Sequence, residues 1–391
     1  MPRKIAVMTG TRADYGLLLG TMKELSAESA LSLRLMVTGA HLEPRFGETW
    51  KVIEADGFTV DDRIPLNIQG DTPAGVAEAM GRGMLGFIKA FEAARPDLLL
   101  LLGDRYEAIM AAQAATLCRI PIAHIHGGER TEGAMDEAFR HAITKMAHLH
   151  FAACAEYRRR IIQLGEEPSR VFDVGAPGVD NIGRLELAAL PELEQSVGMD
   201  LKNGFLLVTY HPVTLEADGG IAALEELLAA LDAFPELKVV ITGVNADPGH
   251  DAIAHRMAAY AAAHSKRVRL VESLGQRRYL GALRLCLAVV GNSSSGIIEA
   301  PSMRVPTINI GDRQKGRVRA ASCIDCGENR QSIRAGLDKA LSPEFRASLA
   351  AMRSPYGAGG AGKKICEVLK SISIEGILKK SFFDIAVDPS L

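Results

Sequence analysis

Leu98-Leu99-Leu100-Leu101-Leu102-Gly103-Asp104-Arg105 is the stretch on which the fold turns. Five consecutive leucines leave no polar side to meet water, so a strand made of them is covered on both faces, as strands of a parallel sheet are. Glycine and aspartate then end the strand in a loop. The same pattern recurs outward from it in both directions. Residues 5–8 run into Thr9-Gly-Thr-Arg-Ala-Asp14, with a helix expected from about Tyr15, and residues 33–37 run into Thr38-Gly-Ala-His41. Ile122–Ile125 runs into His126-Gly-Gly-Glu129, and 150–153 and 171–174 complete a first set. A second set follows residue 200: Phe205–Thr209 before Tyr210-His211-Pro212, 239–242 before Gly243, then Val268–Val271. It closes with 285–290 before Gly291-Asn292-Ser293 and Thr307–Ile310 before Gly311-Asp312-Arg313.

Strands alternating with helical stretches imply doubly wound α/β domains whose sites lie at the carboxyl ends of the strands. The pattern predicts two Rossmann-like domains facing a cleft, residues 1–180 and 181–355, followed by a segment 356–391. That last segment opens on Tyr356-Gly-Ala-Gly-Gly-Ala-Gly362, a flexible joint, and continues into a helix over 363–370. Length agrees, since 391 residues at roughly 150 per domain make two or three.

Composition excludes several classes. Lys plus Arg number 45 against 47 Asp plus Glu, a net charge of −2, which argues against a general nucleic-acid binder. Six cysteines in this length make no disulfide scaffold, and Cys323-x-x-Cys326 stands without a second pair to complete a zinc site. Residues 5–8 are too short for a secretion signal and Leu98–Leu102 far too short to span a membrane, so a cytoplasmic location is expected. Glycine is in excess, 38 residues where about 7% is usual, and its place in the loops matters more than its number.

Gly291-Asn-Ser-Ser-Ser-Gly-Ile-Ile-Glu-Ala300 follows a buried strand and starts a helix, so its N–H groups and helix dipole suit a phosphate. Asn292 or Ser293 also reads as a plain N-cap, and Glu299, one or two turns in, as a sugar-hydroxyl acceptor or a surface glutamate. The loop is neither a Walker A sequence nor GxGxxG. Arg12 lies in the first strand–helix turn, where its planar fork suits a diphosphate or pairs with Asp14. Gly311-Asp-Arg-Gln-Lys-Gly-Arg317 adds three cations in a glycine-flanked loop, an anion clamp or a solvated basic loop.

For proton transfer the candidates are Asp104, Glu129, Asp136 and His211. Burial behind five leucines would raise the pKa of Asp104. Asp136 precedes a helical stretch with Arg140 and His141, where it reads equally as a cap or an ion-pair partner. His211 sits at a strand end before Pro212. Five histidines fall between positions 124 and 150, and His124 and His126 would point the same way on a strand, but no carboxylate or cysteine spacing completes a metal site.

Together these loops resemble the UDP-N-acetylglucosamine 2-epimerase family. The resemblance is carried by Gly10-Thr-Arg-Ala-Asp-Tyr-Gly16, Leu102-Gly-Asp-Arg-Tyr-Glu107, His124-Ile-His-Gly-Gly-Glu129 and Asp136-Glu-Ala-Phe-Arg-His-Ala-Ile-Thr-Lys145. It continues through His211-Pro-Val-Thr214, residues 292–301 and Asn309-Ile-Gly-Asp-Arg-Gln-Lys-Gly-Arg317. It runs in order from about residue 5 to 370, and three motifs look like the hydrolysing branch: Arg12-Ala-Asp-Tyr-Gly16, Arg140-His-Ala-Ile-Thr-Lys145 and 310–317. That branch makes N-acetylmannosamine-type sugars for sialic or legionaminic acid synthesis; the non-hydrolysing branch carries Pro-Glu at 13–14.

The resemblance implies a two-domain glycosyltransferase-B fold whose C-terminal helix packs back on the first domain, and a homodimer. It implies that Arg12, Ser293 and Ser294 contact a diphosphate, Glu299 a ribose, and Arg313 the same region. Asp104, Asp136 and His211 match catalytic positions. Some relatives have glutamate where His126 stands, so Glu129 becomes the nearest acid for that role. The implied reaction is loss of the C2 proton with departure of the nucleoside diphosphate, then addition of water to the 2-acetamidoglucal, with His211 as a positive donor to the leaving group. The scheme calls for a nucleotide-sugar substrate and for no metal, nicotinamide, nucleic acid or membrane. A glycosyltransferase of the same fold and a non-catalytic nucleotide-sugar sensor are the competing readings.

Overall fold

The computed structural model describes residues 1–68, 72–132, 135–213, 216, 218–244 and 250–386; Thr214 of the His211 motif and residues 387–391 of the tail lie outside these. Two units emerge. One comprises Met1–Glu129, Asp136–Asn181 and Gly359–Leu391, the other Arg130–Met135 and Ile182–Ala358.

The first unit holds seven parallel strands: β1 (Arg3–Thr9), β2 (Leu31–Thr38), β3 (Asp62–Ile64), β4 (Leu98–Leu102), β5 (Ile122–Ile125), β6 (Leu149–Ala152) and β7 (Val171–Asp173). Their order in the sheet is β3-β2-β1-β4-β5-β6-β7. All five leucines of β4 are buried. Leu98, Leu100 and Leu102 pack on one face with the helices Arg12–Ala27 and Ala361–Ser371, while Leu99 and Leu101 pack on the other with Pro73–Ala93 and Tyr106–Leu117. A strand of alternating polarity could not serve two apolar layers.

The helix Ala361–Ser371 belongs to this first unit through its packing. Ile365 and Leu369 are fully buried, each worth roughly 1.5–3 kcal/mol of transfer free energy. Its first amides, Ala361 N–H and Gly362 N–H, donate to Asp180 Oδ1 at 2.9 Å and Oδ2 at 2.7 Å. Glycine at 362 allows a close approach, since a side chain there would come 3.0 Å from the backbone nitrogen of Thr21 in the facing helix.

The second unit repeats the theme with six parallel strands: β8 (Phe205–Thr209), β9 (Lys238–Thr242), β10 (Val268–Val271), β11 (Ala288–Gly291), β12 (Thr307–Ile310) and β13 (Cys323–Cys326), in the order β10-β9-β8-β11-β12-β13. Each sheet therefore reverses its winding once, between β1 and β4 and between β8 and β11. In open parallel sheets such reversal points, where the following loops diverge, are where ligands bind. This is the doubly wound α/β class expected from the strand pattern.

Two edge strands, β3 and β13, escape the apolar-run rule, and residues 285–287 precede β11 because the helix Gly275–Leu285 runs up to them. The pair Cys323 and Cys326 lies on β13, all six cysteines are free thiols, and no group of three metal-ligating side chains occurs among the described residues. No described helix is long and apolar enough to cross a membrane.

Candidate active site

In the first unit the loops after β4 and β5 converge on one arginine. The helix Asp136–Met146 turns Arg140, Ile143 and Thr144 toward the sheet, and Arg140 is 1% exposed. Its Nε donates to Asp104 Oδ2 at 2.9 Å, Nη2 meets the same oxygen, and Nη1 donates to the Glu129 carbonyl at 3.1 Å and to Glu137. Asp104 and Glu137 keep side-chain exposures of 23% and 26%, so the cation is buried and its partners reach solvent. The Asp104 carboxylate is therefore held in an ion pair rather than stranded in an apolar pocket, which corrects the expectation drawn from the leucine run.

His124 and His126 do not point the same way. The strand ends at Ile125, and His126 takes a left-handed backbone (φ +68°), turning its side chain off the strand's alternation. His124 Nε2 donates to the Gly103 carbonyl at 2.7 Å and Nδ1 faces the Thr144 hydroxyl at 3.1 Å; burial lowers its pKa to about 3, so it is a neutral structural strut. His126 N–H donates to the Phe151 carbonyl at 3.1 Å, and its Nδ1 is hydrogen-bonded to Glu129 Oε1. Glu129 is itself buried, its side chain 2% exposed. Gly128 lets the loop close: at φ +74° a side chain would stand 2.4 Å from the Tyr157 carbonyl oxygen. Asp136 opens the helix and is half-buried.

At the β1–β4 reversal, Arg12 is exposed on the first turn of its helix, whose N-cap Thr11 accepts from Asp14 N–H at 3.2 Å. Burial raises Asp14 to about 6, with Arg105 pulling the other way and Glu107 reinforcing the shift. Glu107 is 1% exposed and meets Arg105 at 3.2 Å. His41, enclosed between Thr9 at 3.0 Å and Thr49 at 2.7 Å, is lowered to about 4 by burial.

In the second unit the β8–β11 reversal is sewn by Asn292. Its Oδ1 accepts from His211 N–H at 2.7 Å and its Nδ2 donates to the His211 carbonyl at 2.8 Å. Asn292 is thus not an N-cap; its side chain fixes the His211 loop. Gly291, at φ +135°, precedes it because a side chain there would lie 2.0 Å from the Thr209 carbonyl oxygen. Arg313 continues the seam, donating to the carbonyls of Pro212 and Asn292 at 3.2 Å each, and Gln314 donates to Asn292 at 3.0 Å.

Burial, with Arg313 nearby, lowers the pKa of His211 to about 3, so its ring is neutral without a ligand. One expectation for this unit is corrected. The serine loop starts only one α-helical turn, Ser295–Ile298, which passes into a 3-10 turn at Ala300–Met303, so little helix dipole stands behind it. Ser293 and Ser294 are half-buried, and Glu299 caps that single turn. In the basic loop, Lys315 pairs with Asp312 at 2.9 Å, and Arg313 serves the backbone.

The expected site residues thus form two sets. Asp104 and Glu129 are brought together by Arg140, in the unit that also holds Asp136 and Arg12; His211, Ser293, Ser294, Glu299 and Arg313 cluster in the other. The central place of Arg140, the bridging role of Asn292 and the His126–Glu129 pairing do not show in the sequence. Arg140 was detectable, as a charge at 140 sharing a helical face with 143 and 144.

The model of the UDP-N-acetylglucosamine 2-epimerase family matches residues 23–370. The chain belongs to that family. It is 37% identical over 98% of its length to the GDP/UDP-N,N'-diacetylbacillosamine 2-epimerase (hydrolyzing) of Campylobacter jejuni, covering 99% of that protein. It is 36% identical to polysialic acid biosynthesis protein P7 of Escherichia coli, with 98% of each covered. The fold also matches the crystal structure of Neisseria meningitidis UDP-GlcNAc 2-epimerase bound to UDP-GlcNAc, with a TM-score of 0.81 at 20% identity, 94% of this chain and 99% of that one. As a family member this chain is an enzyme of the nucleotide-sugar 2-epimerase type, on a glycosyltransferase-B-type fold.

Proposed function

We propose that the protein is a hydrolysing 2-epimerase that takes UDP-N-acetylglucosamine, or a close 2-acetamido analogue, and releases N-acetylmannosamine or its analogue together with the nucleoside diphosphate. One observation carries the reading furthest: acid–base groups gather at the carboxyl ends of β4 and β5, with Arg140 joining Asp104 to the Glu129 main chain beside the His126–Glu129 pair. Nothing of that kind is needed to bind a sugar passively.

The first step removes the C2 proton; the C2–H electron pair becomes the C1=C2 bond as the C1–O bond to the diphosphate breaks, leaving a 2-acetamidoglucal. Water then adds through oxygen at C1 while C2 regains a proton on the opposite face. Positive charge develops at C1 as the diphosphate departs, and the carboxylate of Asp104, fixed by Arg140, is suited to stabilise it. Asp136 and the His126–Glu129 pair are the candidates at C2. Arg12 is the first unit's candidate for the diphosphate; in the second unit Ser293 and Ser294 supply hydroxyls and N–H groups for it, and Glu299 an acceptor for ribose. His211, neutral in the free enzyme, donates through a ring N–H, and an incoming diphosphate favours its protonation. Arg313 holds the two loops that present these groups.

A second substrate reading, a GDP- or UDP-linked diacetamido sugar of the legionaminic type, is favoured by the 37% identity to the Campylobacter enzyme. Incubating the purified protein with UDP-N-acetylglucosamine in deuterated water decides between them. Free N-acetylmannosamine carrying deuterium at C2, with UDP, supports the first reading. Turnover of only the diacetamido sugar supports the second, and UDP-N-acetylmannosamine as product would indicate the non-hydrolysing branch. Consumption only when an acceptor sugar is added would replace both with a glycosyltransferase.

A further inference from the structure

Resting on the reading above, we propose that His126 Nε2 is the base that takes the C2 proton in the elimination step, with Glu129 as the positioning residue behind it. Three geometric facts support this. His126 Nε2 is buried and has no hydrogen-bond partner among the described residues, although the residue as a whole is only 7% exposed. Its other nitrogen, Nδ1, is bonded to Glu129 Oε1, and because a carboxylate accepts, Nδ1 carries the proton. The lone pair is thereby left on Nε2. A desolvated polar atom without a partner costs about 1–3 kcal/mol, and a ligand or a water that supplies the missing partner recovers it.

The surroundings narrow the choice. Glu129 has a side-chain exposure of 2% and spends Oε1 on the imidazole, which stands it behind His126. Asp104 Oδ2 is engaged twice by Arg140. The imidazole, in contrast, is immobilised: its backbone is left-handed at φ +68°, its N–H is bonded to Phe151, and Gly127 beside it packs within 2.9 Å of the Thr144 hydroxyl, measured from where a side chain would begin. Other titratable groups in Glu129's field are Arg140 and the Cys154 thiol. When Nε2 takes the proton, the C2–H electrons form C1=C2, the nucleoside diphosphate leaves with the C1–O pair, and Glu129 faces an imidazolium it can stabilise. Because the base acts on one face of C2, the proton returned during hydration comes from a different group.

The test separates the two steps. With substrate deuterated at C2, His126→Gln is expected to lose release of deuterium to water and of nucleoside diphosphate by a factor on the order of 10²–10⁴. The same variant, given 2-acetamidoglucal directly, should hydrate it within about tenfold of wild type, since that step does not use His126. Glu129→Gln keeps the ring but removes the negative charge behind it, so the acidic limb of its pH–kcat profile should move to lower pH with reduced kcat. Deuterium release near the wild-type rate in His126→Gln overturns the assignment, as does an equal loss in both steps. Should His126→Gln not fold, an unmoved limb in Glu129→Gln overturns it. If the wild-type protein converts no nucleotide sugar, the functional reading fails and the base assignment with it; wild-type turnover beside an unimpaired His126→Gln refutes the base alone.

Discussion

Replacing Arg140 with methionine removes one positive charge from the place where three groups meet it. The guanidinium reaches Asp104 Oδ2 at 2.9 Å, the Glu129 carbonyl at 3.1 Å and the Glu137 carboxylate, and it is 1% exposed. Methionine fills much of the same volume, so the cavity contribution is small and electrostatics dominates. Deleting one partner of a buried ion pair costs about 3–5 kcal/mol. Here the two carboxylates keep 23% and 26% of their side-chain exposure, and water recovers part of that cost. The expected loss is about 3 kcal/mol, a substantial share of the roughly 5–15 kcal/mol that stabilises a typical protein. Urea denaturation of both proteins at pH 7.5, followed by circular dichroism, measures it. A deficit under about 1 kcal/mol would refute the claim that this cation holds the β4 and β5 loops together.

Buried histidines make the fold acid-sensitive: His41 and His148 are lowered to about 4, and His124 and His211 to about 3, each chiefly by burial. The unfolded chain binds these protons near pH 6.5 and the folded chain does not, so stability is retained above that pH and lost as pH falls below it. The slope approaches roughly 1.4 kcal/mol per pH unit for each histidine, opposed by Asp14, which is raised to about 6 and gains its proton in the folded state. Denaturation midpoints that stay flat from pH 7 to 5.5 would contradict this. Gly128→Ala combines a φ of +74° with a 2.4 Å approach to the Tyr157 carbonyl, whereas Gly47→Ala has a φ of +81° and open space around it. The first should therefore cost more than the ~1–2 kcal/mol of left-handed backbone expected for the second, as compared by thermal unfolding. Asp180→Asn leaves one acceptor for the amides of Ala361 and Gly362; hydrogen exchange should quicken along residues 361–371 and stability fall by about 1–3 kcal/mol.

How far the chain could be read from its letters depended on burial. Leu98–Leu102, Ile122–Ile125, Phe205–Thr209, Val268–Val271 and Thr307–Ile310 have the bounds that their apolar runs announce, since most are central strands with apolar layers on both faces. Strands β3 and β13 were silent because Asp62-Arg-Ile64 and Cys323-Ile-Asp-Cys326 lie at sheet edges, where one side needs no apolar residue. Motifs marked the loops that would matter, but not what each residue does within them. Asn292 reads as a cap and is a bridge between two strand ends; Arg313 reads as an anion clamp, and its carbonyl bonds to Pro212 and Asn292 are not legible locally. Those roles depend on which loops lie side by side at a winding reversal, a tertiary fact absent from local spacing. His126 was hidden for another reason: whether it continues the strand or leaves it is decided by one backbone angle.

The terminal helix 361–371 gives the chain an order of completion. It fills a gap in the first unit's apolar layer, against Leu18, Met22 and Leu25, yet the second unit's stretch Ile182–Ala358 is translated before it. On the ribosome, the unit that begins first must wait with that layer open until almost the last residues emerge. A premature stop between residues 182 and 361 would therefore injure the opposite end of the sequence, leaving the sheet that carries Asp104 and His126 without its final cover.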